Sequence, residues 1–166
     1  PLAYWQYVAS VNPKQAEEQV VAYTVMTHDS PVAVVSSLVH RAILTDLLAM
    51  NPHATGGESQ LASLYAQAIA YAEQYEALLG VKPETSEVLK RLDGTKKIKR
   101  KDILQAAEKG GFYAPETLLM AYGSFLLESS FPNAAYRTAE LGGDSDSTAS
   151  IAATLALFYW GKQEKP

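Results

Sequence analysis

A chain of 166 residues with 48% hydrophobic content can close one core, which sets the expectation of a single domain across the whole length. Its net charge of −4 gives no reason to expect nucleic acid as a partner, and zero cysteine excludes disulfides and thiolate chemistry. Lack of cysteine suits a reducing compartment, so the cytoplasm is the expected location. No apolar run is expected to reach the roughly 20 residues that span a membrane, and no secretory leader is visible. The chain opens on Pro1 rather than Met, which fits a fragment, although removal of an initiator Met before Pro gives the same start.

Pro1 to Val11 is apolar and aromatic (Leu2, Tyr4, Trp5, Tyr7, Val8) and reads as a buried helix, broken at Asn12-Pro13. From Lys14, the residues Ala16, Val20, Tyr23 and Thr27 recur at helical spacing, with Glu17 and Glu18 near the positive end. Thr27 to Pro31 is a loop in which Ser30 and Pro31 supply a cap and a first helical residue. Val32, Val35, Val39 and Ile43 then form one face of a helix to about Met50. Val34, Leu38 and Leu48 widen that stripe, which predicts a central helix.

Asn51 to Gly57 is a second loop, and Ser59 opens a helix with Leu61, Leu64, Ala68, Ala72, Tyr75 and Leu79 on one face. Gly80 is placed to close it. A short helix is expected over Pro83 to Leu92, ended at Asp93-Gly94. After it comes a basic run, Lys96-Lys97-Ile98-Lys99-Arg100-Lys101, then a helix through about Lys109. Such runs are usually solvated surface, and no interleaved aromatics support base stacking.

Gly110-Gly111 breaks the chain again. Pro115 starts a helix carrying Leu118, Leu119, Tyr122, Phe125 and Leu126. Phe131-Pro132-Asn133 caps a short helix leading into a glycine turn. No alternating strand pattern and no internal repeat stands out. The expected fold is therefore all-α, a compact orthogonal helical bundle.

The stretch with most chemistry is Leu141-Gly142-Gly143-Asp144-Ser145-Asp146-Ser147-Thr148, followed by a helix over Ala149 to Trp160. Glycines permit a sharp turn, and the Asp and Ser side chains then crowd a helix start whose N–H groups are unpaired. One cap is worth about 1 kcal/mol and needs one residue, whereas five capping-type residues stand here in a row. Two carboxylates held together repel unless a cation sits between them. Carboxylate and hydroxyl oxygens suit hard Mg²⁺ or Mn²⁺ better than zinc. A calcium EF-hand fails on spacing, because Ala149 and Leu155 occupy the places of its Gly and Glu. Chemistry alone leaves a metal site and an elaborate cap both open.

The run from Gly142 to Gly161, GGDSDSTASIAATLALFYWG, resembles the carboxy-terminal metal motif of the ADP-ribosylglycohydrolases. The serine form is similar to the branch that removes ADP-ribose from arginine, which includes the dinitrogenase-reductase-activating type. Pro1-Leu2-Ala3, Thr27-His28 and Ala114-Pro115 with Ala121-Tyr122 also match family elements. The resemblance implies two Mg²⁺ ions, with Mn²⁺ as the alternative, gripping ribose hydroxyls while water attacks the anomeric carbon. It implies Asp144 and Asp146 as catalytic metal ligands, Ser147 as a hydroxyl ligand, and His28 against bound ADP-ribose, with Thr27 in support. Of the other histidines, His40 reads as structural and His53 carries no assignment. Phe112 and Tyr113 suit either a wall for the nucleotide or ordinary packing.

Family members also carry an amino-terminal Thr-Asp-Asp element, which supplies the other half of a two-metal site, and a glycine-rich substrate loop. Neither stands in this sequence: Asp29, Asp46, Asp93 and Asp102 each lack a neighbouring acid. The expectation is thus the carboxy-terminal part of one such domain, incomplete at its amino terminus and inactive alone. The partners would be ADP-ribose or an ADP-ribosylated protein, and not a membrane. The competing expectations are a non-catalytic relative that binds ADP-ribose or a protein partner, and a plain scaffold whose acids only cap.

Overall fold

The Pro, Gly and Asn breaks divide the chain as expected, and every element between them is a helix. The computed structural model describes residues 2–50, 57–94 and 96–161. Among the described residues there are nine helices and no strand. They are α1 (Leu2–Val8), α2 (Pro13–Val25), α3 (Pro31–Ala49), α4 (Gly57–Leu79), α5 (Glu84–Leu89), α6 (Arg100–Ala106), α7 (Ala114–Leu127), α8 (Phe131–Ala139) and α9 (Ser145–Trp160). Of the expected loop at 51–57, residues 51–56, with His53, lie outside the described residues, whereas α4 already begins at Gly57, two residues before the expected Ser59.

Helix α3 is central, as its wide apolar stripe predicts. Pro31 occupies its first turn after an extended Ser30, and Val35, Leu38, Val39, Ile43 and Leu47 are buried. It packs against α1, α2, α4, α5, α7 and α9. One expectation is corrected here. With 19 residues and a mean hydropathy of 1.6, α3 is long and apolar enough to cross a membrane, although 61% of that window is buried inside the protein. Its apolar surface is core, which is why it reads like a span.

Helix α7 is buried on all sides from Pro115 to Phe125. Gly123 makes this close packing feasible, since a Cβ there would lie 2.8 Å from Leu92 Cδ2 and 3.0 Å from Ile103 Cγ1. Helix α9 packs on α7, α8 and α3 with Ala152, Leu155 and Ala156 buried, while Tyr159 and Trp160 close on Phe125 at ring separations of 5.9 and 5.2 Å. The buried Glu76 accepts the Thr85 and Ser86 N–H groups at 2.6 and 3.1 Å, which satisfies donors in the first turn of α5.

Several local expectations change. Only Ala3 and Gln6 of α1 are buried, whereas Tyr4, Trp5 and Val8 are more than half exposed. A seven-residue helix offers the body one narrow face, and positions three apart take it. Gln6 earns that place by donating from Nε2 to the Ala16 carbonyl (3.1 Å) and to Gln19 Oε1 (2.9 Å). The α2 stripe stops at Val20, leaving Tyr23 and Thr27 exposed, and Leu79 at the end of α4 is exposed too. Helix α6 ends at Ala106 rather than Lys109, and the cap of α8 is Ser130, one residue before Phe131.

His40 is structural, as expected. Its Nδ1 lies 3.2 Å from the Tyr122 hydroxyl, and burial lowers its pKa from 6.5 to about 4. The folded protein therefore keeps His40 neutral where the unfolded chain would protonate it. Between pH 6.5 and about 4 the unfolded state binds more protons, so this contribution is full above 6.5 and is lost as the pH falls. Within that window the expected slope approaches about 1.4 kcal/mol per pH unit. Urea midpoints measured across the window should fall more steeply in the parent than in His40→Gln; parallel profiles would place the ring in water.

Candidate metal centre

Two glycine turns that are far apart in sequence meet here. Gly110, Gly111, Gly142 and Gly143 all have positive φ, between 61° and 85°. The Asp144 N–H donates to the Gly110 carbonyl at 3.0 Å. A Cβ on Gly143 would lie 1.9 Å from that carbonyl oxygen, and one on Gly111 would lie 2.9 Å from Thr148 Oγ1. The turns therefore interlock backbone to backbone. Thr148 is fully buried beneath them, and its hydroxyl and N–H both donate to the Asp144 carbonyl, at 2.8 and 3.0 Å.

The 110–111 turn has its own anchor, which sequence reasoning missed. Glu116 is fully buried at the start of α7. One carboxylate oxygen accepts from Arg91 Nη1 at 3.0 Å and the other from the Lys109 N–H. Arg91 also donates to the Ala106 carbonyl at 2.9 Å, and the Thr117 hydroxyl donates to the Gly111 carbonyl. The available signal was an acid inside an otherwise apolar stretch. Such a residue, if buried, needs a cation and donors.

Helix α9 begins at Ser145, four residues before the expected Ala149. Asp144 is thus the cap by position, with Asp146 and Ser147 in the first turn. Yet the Asp144 side chain makes no capping hydrogen bond. The elaborate-cap reading therefore fails for the first acid of the run and holds for the second, whose carboxylate takes first-turn N–H groups. Asp146 is exposed, and its carboxyl is held below the usual range, first by the adjacent Asp144 carboxyl when the two share a proton and then by the Ser147 and Asp146 N–H groups. The fold therefore brings Asp144 and Asp146 together, with the exposed Ser147 next in the same turn.

The other candidates lie elsewhere. His28 is exposed between α2 and α3, with Nδ1 2.9 Å from the Thr27 hydroxyl. No hydrogen bond or ion pair among the described residues joins it to the α9 acids. Asp46 accepts from the Tyr71 hydroxyl at 3.0 Å, Asp93 pairs with Lys96 at 2.9 Å, and Asp102 accepts the Lys99 N–H at 2.8 Å. Among the described residues, no group of three His, Cys, Asp or Glu side chains is placed to hold a metal ion. Two carboxylates and a hydroxyl match hard Mg²⁺ or Mn²⁺ in kind, and fill only part of six-fold coordination.

Fold and site together define an all-α domain with a paired-carboxylate turn at the head of its last helix. Residues 1–164 match the ADP-ribosylglycohydrolase family, and the chain belongs to it. It is thereby a member of a hydrolase family whose activity is removal of ADP-ribose. Comparison with curated proteins, and with solved structures, gives no significant match.

Proposed function

We propose that this chain supplies one half of a Mg²⁺-dependent site that hydrolyses the N-glycosidic bond between ADP-ribose and a modified side chain, arginine being the preferred linkage. The observation that carries this reading is the Asp144–Asp146 pair, whose first acid stands at a cap position without capping. Asp144, Asp146 and Ser147 would hold the metal, with Mn²⁺ as the substitute ion. Bound there, such an ion supplies Lewis acidity and a template for sugar and water.

The chain's own residues have defined tasks. The interlocked glycine turns fix the two carboxylates relative to α9. Misplacing reacting groups by about 1 Å can cost roughly 100-fold in rate, so that rigidity matters. His28, with Thr27 beside Nδ1, has Nε2 to offer to the phosphates or ribose of ADP-ribose. The remaining ligands are assigned to a Thr-Asp-Asp element of the family's amino-terminal part, and the expected compartment is the cytoplasm. A second reading, a non-catalytic binder of ADP-ribose or of a protein partner, draws on the lack of a third acid or His in the cluster among the described residues.

The test is release of ADP-ribose from ADP-ribosyl-arginine with Mg²⁺. This chain alone should release little or none, and joined to an amino-terminal segment bearing the missing acids it should turn over. Asp146→Asn in the joined protein should lower turnover by about 100-fold or more while the helical signal is kept, because Asn retains capping ability but not charge. Full turnover in that variant would end the metal mechanism. Binding of ADP-ribose without turnover in the joined protein would favour the second reading.

A further inference from the structure

We propose that the cleft lined by residues 91–93 after α5, by residues 96–99 and by α6 binds a chain of two or more phosphates. The cleft measures about 640 Å³ and lies among Arg91, Lys96, Lys97, Lys99 and Lys101, with Asp93 and Asp102 as its only acids among the described residues. Both acids are engaged: Asp93 with the Lys96 ammonium at 2.9 Å, and Asp102 with the Lys99 backbone N–H at 2.8 Å. Arg91 is engaged as well, by Glu108 at 3.5 Å and Glu116 at 3.0 Å.

The ammonium groups of Lys97, Lys99 and Lys101 remain. None has a carboxylate within ion-pair distance among the described residues. Three unneutralised cations around one concavity, in a protein of net charge −4, concentrate positive potential where an anion can enter. The basic run is therefore more than a solvated face. On a convex helix the same lysines would point apart, whereas here buried Leu92 and Ile98 form the floor and Lys97 and Lys99 flank Ile98.

Charge, size and lining select the ligand. Lysine meets phosphate as a point charge, and three separate ammonium groups suit several phosphates better than one. The volume lies in the range of small-molecule sites, about 300–1,000 Å³. Among the described residues no aromatic side chain lines the cleft, so bases find no stacking platform there, which favours a small phosphate chain over a nucleic-acid strand. Asp144 and Asp146 are not in this lining, so the inference stands or falls independently of the proposed hydrolase site.

Calorimetric titration with inorganic phosphate, pyrophosphate and tripolyphosphate, in chelator and without divalent metal, tests this. Tripolyphosphate should bind at least about tenfold tighter than phosphate, with affinity falling as salt is raised. Lys97→Gln/Lys99→Gln/Lys101→Gln, three changes at exposed positions, should lose at least about tenfold, while Lys14→Gln, an exposed lysine outside the cleft, loses nothing. Amide shifts in the parent, recorded by NMR with tripolyphosphate, should centre on residues 96–102, so the parent alone can decide the matter. Equal affinity for all three anions, an unchanged triple variant, or shifts centred elsewhere would overturn the proposal. So would tighter binding of single-stranded oligothymidylate than of tripolyphosphate.

Discussion

Gly143→Ala should destabilise the fold by about 3–5 kcal/mol, whereas Gly142→Ala, one residue away, should cost only about 1–2 kcal/mol. The two glycines share a left-handed backbone, φ +67° and +78°, so the conformational cost of a Cβ is similar at each. Their surroundings differ. Around Gly142 a Cβ meets nothing within 4 Å, while at Gly143 it meets the Gly110 carbonyl oxygen at 1.9 Å. That contact is backbone against backbone, and no side-chain rotation relieves it. The turns must part, and the Asp144 N–H then loses its acceptor. An unmade hydrogen bond costs about 1–3 kcal/mol beyond the strain itself. Urea denaturation of both variants gives the comparison, and equal losses would mean that the two turns are not interlocked.

Glu116→Ala should cost about 3 kcal/mol. Removing one partner of a buried ion pair typically costs about 3–5 kcal/mol. The lower end applies because the Arg91 side chain remains 31% exposed and can recover water. The Lys109 N–H also loses its acceptor, and with it the support of the Gly110 turn. Glu116→Gln should fall between parent and Ala variant, since an amide oxygen can still take one donor. Equilibrium unfolding of both variants checks the order. A loss below about 1 kcal/mol in the Ala variant would mean that the 107–111 loop is held by something else.

Much of this was legible in the sequence because the chain punctuates itself. Pro13, Pro31, Pro115 and the glycine pairs mark the ends of elements through local sterics, and local sterics survive folding. The wide stripe of α3 announced its central place for the same reason: ten buried positions leave little polar surface. What failed was any inference that needed to know the neighbour. The aromatics of α1 are as apolar as a core, yet a seven-residue helix has one face to bury and gives it to Ala3 and Gln6.

The site divides in the same way. The run from Gly142 to Thr148 carries its acids and its turn in one local stretch, so it could be read directly. The contact of Gly110 with Gly143 could not, because it joins turns that are about thirty residues apart through backbone atoms that every residue has. Glu116 was missed for a related reason. Its importance lies in its partners, Arg91 and Lys109, and neither spacing in sequence announces a shared buried carboxylate.

The central claim is that Asp144 and Asp146 form a metal half-site rather than an ornate cap. Paramagnetic broadening of backbone amide signals by Mn²⁺ tests it most directly, because the ion reports its own position without any need for turnover. At low Mn²⁺, broadening should centre on Gly143 to Thr148 and extend to Gly110 and Gly111, which touch that turn. Added Mg²⁺ should reverse it, and Asp144→Asn/Asp146→Asn should abolish it while the remaining spectrum keeps its dispersion. Broadening centred away from this turn, or undiminished in the double variant, would contradict the assignment.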